Sequence, residues 1–135
     1  MKANELMIGD WVGRVFDDKR IDYRQVDWIR TGEIGMRYQK VWAIGCIEPI
    51  PLTAEILEKD GWERDIDKEW EYNNSHILPH YCYQWEKQNV KIEMYAGLEG
   101  FTISLIIGRR FYAVHELQHV LRLYGLDELA DNFKI

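Results

Sequence analysis

Four short runs rich in Val, Ile, Trp and Tyr fall within the first 47 residues, at Asp10–Phe16, Tyr23–Ile29, Gly35–Tyr38 and Val41–Ile47. Several of them alternate with polar residues at period two, as a half-buried strand requires. Gly, Asp and Lys separate the runs, so the strands must share one small core. Pro49 and Pro51 end the last run, because neither can donate a ladder hydrogen bond and each stiffens the residue before it.

This pattern predicts a small curled sheet, either a plain meander or an SH3-like barrel. After the prolines, Thr53 is placed as an N-cap, 54–59 as a short helix and Gly61 as its stop. Glu55 near the start of that helix and Lys59 near its end suit the macrodipole.

Alternation resumes over Asp65–Tyr72, where it predicts a strand with Asp65, Asp67, Glu69 and Glu71 on one face and Ile66, Trp70 and Tyr72 on the other. Further strands are expected at Tyr81–Trp85, Val90–Tyr95 and Phe101–Ile107, antiparallel because their connections are too short for helical crossovers. From Val114 to Tyr124 the period becomes helical, with Gly125 as cap and a short helix or strand to Ile135. The expected class is therefore α+β: a β-rich subdomain over 1–51, a hinge helix over 52–61, and an antiparallel sheet packed with a C-terminal helix over 62–135.

Apolar residues make up 47% of the 135 residues, with six Trp and eight Tyr, enough to offset the entropy of ordering the chain. The net charge is −6, and the excess sits in 52–75, where eight acidic residues face three basic ones. A broad nucleic-acid surface would need a basic face, so backbone binding of nucleic acid is disfavoured. Cys46 and Cys82 belong to no C-x-x-C pattern and are expected to be reduced core thiols. No run approaches the roughly 20 apolar residues of a membrane span, and the N-terminus lacks a secretory core, so a cytoplasmic location is expected.

His115-Glu116-Leu117-Gln118-His119 matches H-E-x-x-H, in which two histidines one turn apart bind zinc and the glutamate acts as general base. With about 100° per residue and His115 at zero, His119 lies near 40°, Glu116 near 100° and the apolar stripe at roughly 140–260°. Both histidines are thus expected to face away from the apolar side. A catalytic zinc needs a third protein ligand, and Arg122 and Gly125 stand where the extended motif requires glycine and histidine. His76, His80, Glu128 and Asp131 are the remaining candidates. The preferred reading is the solvated side of an amphipathic helix with no cofactor; the alternative is zinc on His115 and His119 with Glu116 as base.

The acidic series reads as a solvated edge strand, since Trp70 stands where a calcium loop demands glycine. Trp62, Trp70, Tyr72, Tyr81, Tyr83 and Trp85 crowd 24 residues, with Arg109 and Arg110 following the sheet. Aromatics and arginine are enriched at binding hot spots. Trp70, Tyr72, Tyr81, Tyr83, Trp85, Arg109 and Arg110 are accordingly the candidate binding residues, with core packing as the alternative for most of the rings.

Three stretches, Lys2–Val12, Glu48–Leu57 and Tyr112–His119, together resemble a family of small proteins encoded by gut-bacterial phages and mobile elements. The resemblance covers about a third of the chain and leaves 63–110 unmatched. It implies a genomic setting and carries no catalytic residues across. The expected function is a non-enzymatic accessory protein that binds a protein or small-molecule ligand, by inhibition or sequestration. A zinc-dependent hydrolase and a structural or assembly protein, the latter a homo-oligomer, are the alternatives.

Overall fold

The computed structural model describes residues 1, 3–66, 70, 81–87, 90–97, 100–103 and 110–135. By packing, the chain forms two units, Met1–Leu52 with Ala113–Phe133, and Thr53–Tyr112 with Lys134–Ile135. The fold is α+β in both sequence order and content. Among the described residues no helix is long and apolar enough to cross a membrane.

In the first unit β1 (Trp11–Val15), β2 (Ile21–Arg30), β3 (Glu33–Met36) and β4 (Lys40–Ala43) form an antiparallel sheet in that order. Every strand lies within a few residues of its place in the sequence pattern. The sheet does not close into the barrel offered as an alternative. After β4 the chain makes a 3-10 turn over Ile44–Cys46 and returns to β1 only at Glu48, which exchanges both backbone bonds with Gly13 at 2.8 and 2.9 Å. One such bridge is too little pairing to join β4 to β1. Cys46 sits in this turn and is exposed, unlike the buried Cys82.

One face of the sheet carries the core. Val12, Val26, Ile34, Met36 and Trp42 are at most 3% exposed and pack with Leu6 and Ile47. Burying each such side chain contributes about 1.5–3 kcal/mol. A register shift between Val26 and Trp28 marks a bulge at Asp27. Trp28 then lies directly across from Gly35, and its indole covers the glycine so closely that any Cβ there would overlap the ring.

The C-terminal helix, α2 (Val114–Leu123), and the short α3 (Asp127–Asp131) belong to this unit. The sequence reading sets this helix with the second sheet, whereas packing groups it with the first. Its start is tied to the segment after β4: Val114 N–H donates to the Ile50 carbonyl at 2.9 Å, and Ala113 bridges Pro51. Leu117, Val120 and Leu121 on α2, with Ala130 and Phe133 beyond it, are all nearly fully buried.

The second unit opens with α1 (Ala54–Asp60). Thr53 Oγ1 accepts from Ile56 N–H at 3.3 Å, and Gly61 closes the helix at φ 103°, as the sequence predicts. A second antiparallel sheet follows in the order β5 (Glu63–Arg64), β6 (Tyr81–Lys87), β7 (Val90–Gly97), β8 (Gly100–Ile103). Phe111 bridges back to Phe101, and the two rings stack with centroids 6.1 Å apart. The strand expected over 65–72 is corrected at both described positions in it that belong to an element, since Ile66 and Trp70 have helical backbone. Alternation alone does not supply a strand partner. Residues 67–69, 71 and 72 lie outside the described residues.

Replacing Gly35 by alanine is expected to displace the Trp28 ring and destabilise the first unit by about 1–3 kcal/mol, read as a lower urea midpoint. A midpoint equal to that of the parent chain would show that the indole has room to move.

Candidate functional site

Helix α2 is covered over a wider arc than its apolar stripe. Val114, Leu117, Val120 and Leu121 are buried as expected, but His115 is only 8% exposed and Gln118 is fully buried. The expectation that both histidines lie on the open side is corrected for His115. The cause is a second contact surface: the loop Met7–Asp10 and α3 lie against the polar flank of the helix.

Backbone groups on that flank are matched one by one. Gln118 Nε2 donates to the carbonyls of Gly9 at 3.0 Å and Ala130 at 2.8 Å, while its Oε1 accepts from Trp11 N–H at 2.9 Å. Gln25 Nε2, from β2, donates to Gly9 O at 3.1 Å and Asp131 O at 2.9 Å. Trp11 Nε1 donates to Phe133 O at 2.6 Å. Gly9 itself has φ 92°, and a Cβ on it would stand 2.8 Å from Asp131 Oδ1 and 2.9 Å from Arg122 Nη2. Both the left-handed backbone and the close approach demand glycine here.

At the centre lies Asp10, whose side chain is fully buried. Its Oδ1 accepts from Arg122 Nη1 at 2.6 Å, and its Oδ2 accepts from Met7 N–H at 2.8 Å. His119 Nε2 is 2.7 Å from the same Oδ2; because a carboxylate only accepts, this nitrogen carries the proton. Arg122 Nη2 also donates to Asp131 Oδ1 at 3.1 Å. One carboxylate thus joins the N-terminal loop to two side chains of α2.

His115 packs edge-on against His119 with ring centroids 5.6 Å apart, and its buried Nδ1 has no hydrogen-bond partner. Burial is the main cause that lowers its pKa from the ordinary 6.5, with His119 adding to the lowering while Asp10, Glu116 and Glu5 oppose it. Glu116 Oε1 accepts from Ala113 N–H at 3.2 Å, closing the first turn of α2. Among the described residues no three His, Cys, Asp or Glu side chains are grouped to hold a metal ion. His76 and His80 lie outside the described residues, and Asp131 pairs with Arg122.

The candidate binding residues are scattered through different environments. Trp70 is 67% exposed, Tyr83 is buried, Trp85 is half-buried and Arg110 is exposed. Tyr81 opens β6, while Tyr72 and Arg109 fall outside the described residues. Sequence reasoning missed Asp10, Gln25, Gln118 and Arg122 as a group. The only local signal was Gly9-Asp10 at the entry to a strand, since no periodicity marks a pair 112 residues apart.

No protein-family model, curated protein or solved structure matches the chain.

Asp10→Ala leaves Arg122 and the Met7 N–H without their buried acceptor and is expected to cost about 3–5 kcal/mol, read by chemical unfolding. A loss below about 1 kcal/mol would show that the cluster is a surface ion pair in energy. For His115, the lowered folded pKa means the unfolded chain binds more protons, so its contribution is present above about pH 6.5 and is lost as pH falls through the folded pKa. The unfolding midpoint is expected to drop from about pH 7 to about pH 5, and to drop less in His115→Leu. Parallel pH profiles for the two proteins would assign the loss to other groups.

Proposed function

We propose that this chain is a non-enzymatic binding protein, an accessory protein of the phage or mobile-element type, that holds a protein or small ligand and so inhibits or sequesters it. The observation that carries this reading is the use made of the H-E-x-x-H side chains. Glu116 closes a helix turn, His119 is bonded to a buried carboxylate, and His115 is packed inside. A general base must reach a bound water and a zinc ligand must present a free nitrogen lone pair. Glu116 is instead engaged in a folding contact, and His119 directs a proton-bearing Nε2 at Asp10, which leaves its Nδ1 as the one nitrogen a metal could use.

The competing reading is a zinc hydrolase on His115, His119 and Glu116. Two features support it: the partnerless Nδ1 of His115, and the Asp10 carboxylate behind His119, an arrangement that metal-binding histidines also use. A third reading, an assembly protein, would require a stable oligomer.

The deciding experiment is metal analysis of the untagged protein beside a His115→Ala/His119→Ala variant, with zinc-dependent peptide and ester hydrolysis as a second readout. Far less than stoichiometric zinc in both proteins and no turnover are expected. Stoichiometric zinc that disappears in the variant, together with turnover that follows it, would overturn the binding-protein reading.

A further inference from the structure

The end of the β1–β2 hairpin carries a set of side chains that the core does not use. Residues paired across antiparallel strands share a face, so Arg24 lies beside the core residue Val12, and Arg14 lies beside Asp22. Phe16 and Arg20 continue that face past the last ladder pair, joined by Phe16 N–H donating to Arg20 O at 2.9 Å. The guanidinium carbons of Arg14 and Arg20 each stand 4.6 Å from the centre of the Phe16 ring. Arg24 is held by Asp22 at 3.1 Å and reaches within 5.9 Å of the Tyr38 ring centre.

Tyr38 is the more unusual residue. It is 84% exposed, the highest of the exposed large apolar side chains among the described residues. Its backbone has φ 69° and that of Gln39 has φ 62°, two consecutive left-handed residues where glycine or asparagine is the default. The tight turn between the paired strands β3 and β4 accounts for that backbone, and it holds the Tyr38 ring out in solvent where it contributes little to packing.

We propose that this face binds single-stranded nucleic acid, with Tyr38 as a stacking platform for one base and Arg14, Arg20 and Arg24 as phosphate contacts. An exposed ring beside several guanidiniums is what strand binding without sequence reading requires. The single Phe16 ring holds both Arg14 and Arg20, which orients each fork while leaving its edge for phosphate oxygens. An acidic protein segment would satisfy the guanidiniums and leave the Tyr38 ring without a planar partner. Whole-chain charge argues against a broad basic surface, and this one is local: three arginines against Asp22, with Asp17 and Asp18 at the hairpin end limiting its extent. The inference rests on the reading of the chain as a binding protein, and names a ligand class that the whole-chain charge count had set aside.

The test is fluorescence anisotropy of the full chain with labelled oligo-dT and oligo-U of about 12 nucleotides. Binding is expected at about 50 mM salt and is expected to weaken roughly 15- to 20-fold at about 200 mM, the slope for three phosphates. Tyr38→Gly is expected to weaken binding about tenfold while leaving the thermal midpoint unchanged or higher, because glycine relieves the left-handed backbone. Arg14→Ala/Arg20→Ala is expected to flatten the salt dependence. Absence of binding at low salt, affinity unchanged in both variants, tighter binding of a duplex, or equal displacement by poly-glutamate would each overturn the proposal. A lowered midpoint in Tyr38→Gly would mark a structural residue and overturn its role as platform. Failure here leaves the binding-protein reading standing, whereas zinc-dependent turnover would remove both.

Discussion

A carboxylate taken wholly out of water must find its donors inside the protein, and Asp10 finds them at both ends of the sequence. One donor is three residues back in the same loop, and the others come from His119 and Arg122 on the C-terminal helix. The two ends support one another, because loss of Arg122 or His119 takes a donor from a buried charge. The surrounding amide groups of Gln25 and Gln118 extend the same logic to backbone. They satisfy carbonyls of the N-terminal loop and of α3 that would otherwise be buried without donors.

This polar seam takes in side chains of the H-E-x-x-H segment. On an isolated amphipathic helix, His, Glu and Gln outside the apolar stripe would face water or a metal. In this unit a loop and a short helix cover that flank, so Gln118 bonds their backbone carbonyls, His119 bonds a buried carboxylate and His115 is packed inside. Elsewhere on the unit the hairpin face runs past the core, where Arg20 and Tyr38 are exposed and Arg14, Phe16 and Arg24 half-buried.

Much of the architecture was legible because it is written locally. Period-two runs marked β1 to β4, Thr53 and Gly61 marked the ends of α1, and the change of period at Val114 marked α2. The stretch 65–72 misled because alternation records only which residues are polar; Ile66 and Trp70 are helical. Arg14, Phe16, Arg20 and Arg24 also sit at period two, but their significance depends on strand register. Only when Arg14 is set across from Asp22, and Val12 from Arg24, do they fall on one face.

By itself the sequence determined most of the elements: the strands of the first sheet, both ends of α1, the start of α2, and that the chain has apolar material enough for a core. Those properties depend on neighbours within about one or two turns of chain. Only the tertiary structure decided that the C-terminal helix joins the first sheet, that His115 and Gln118 are inside, and that Asp10 is the buried centre. Each of these depends on contacts across more than a hundred residues, and no local period records which distant backbone groups will arrive to cover a helix flank.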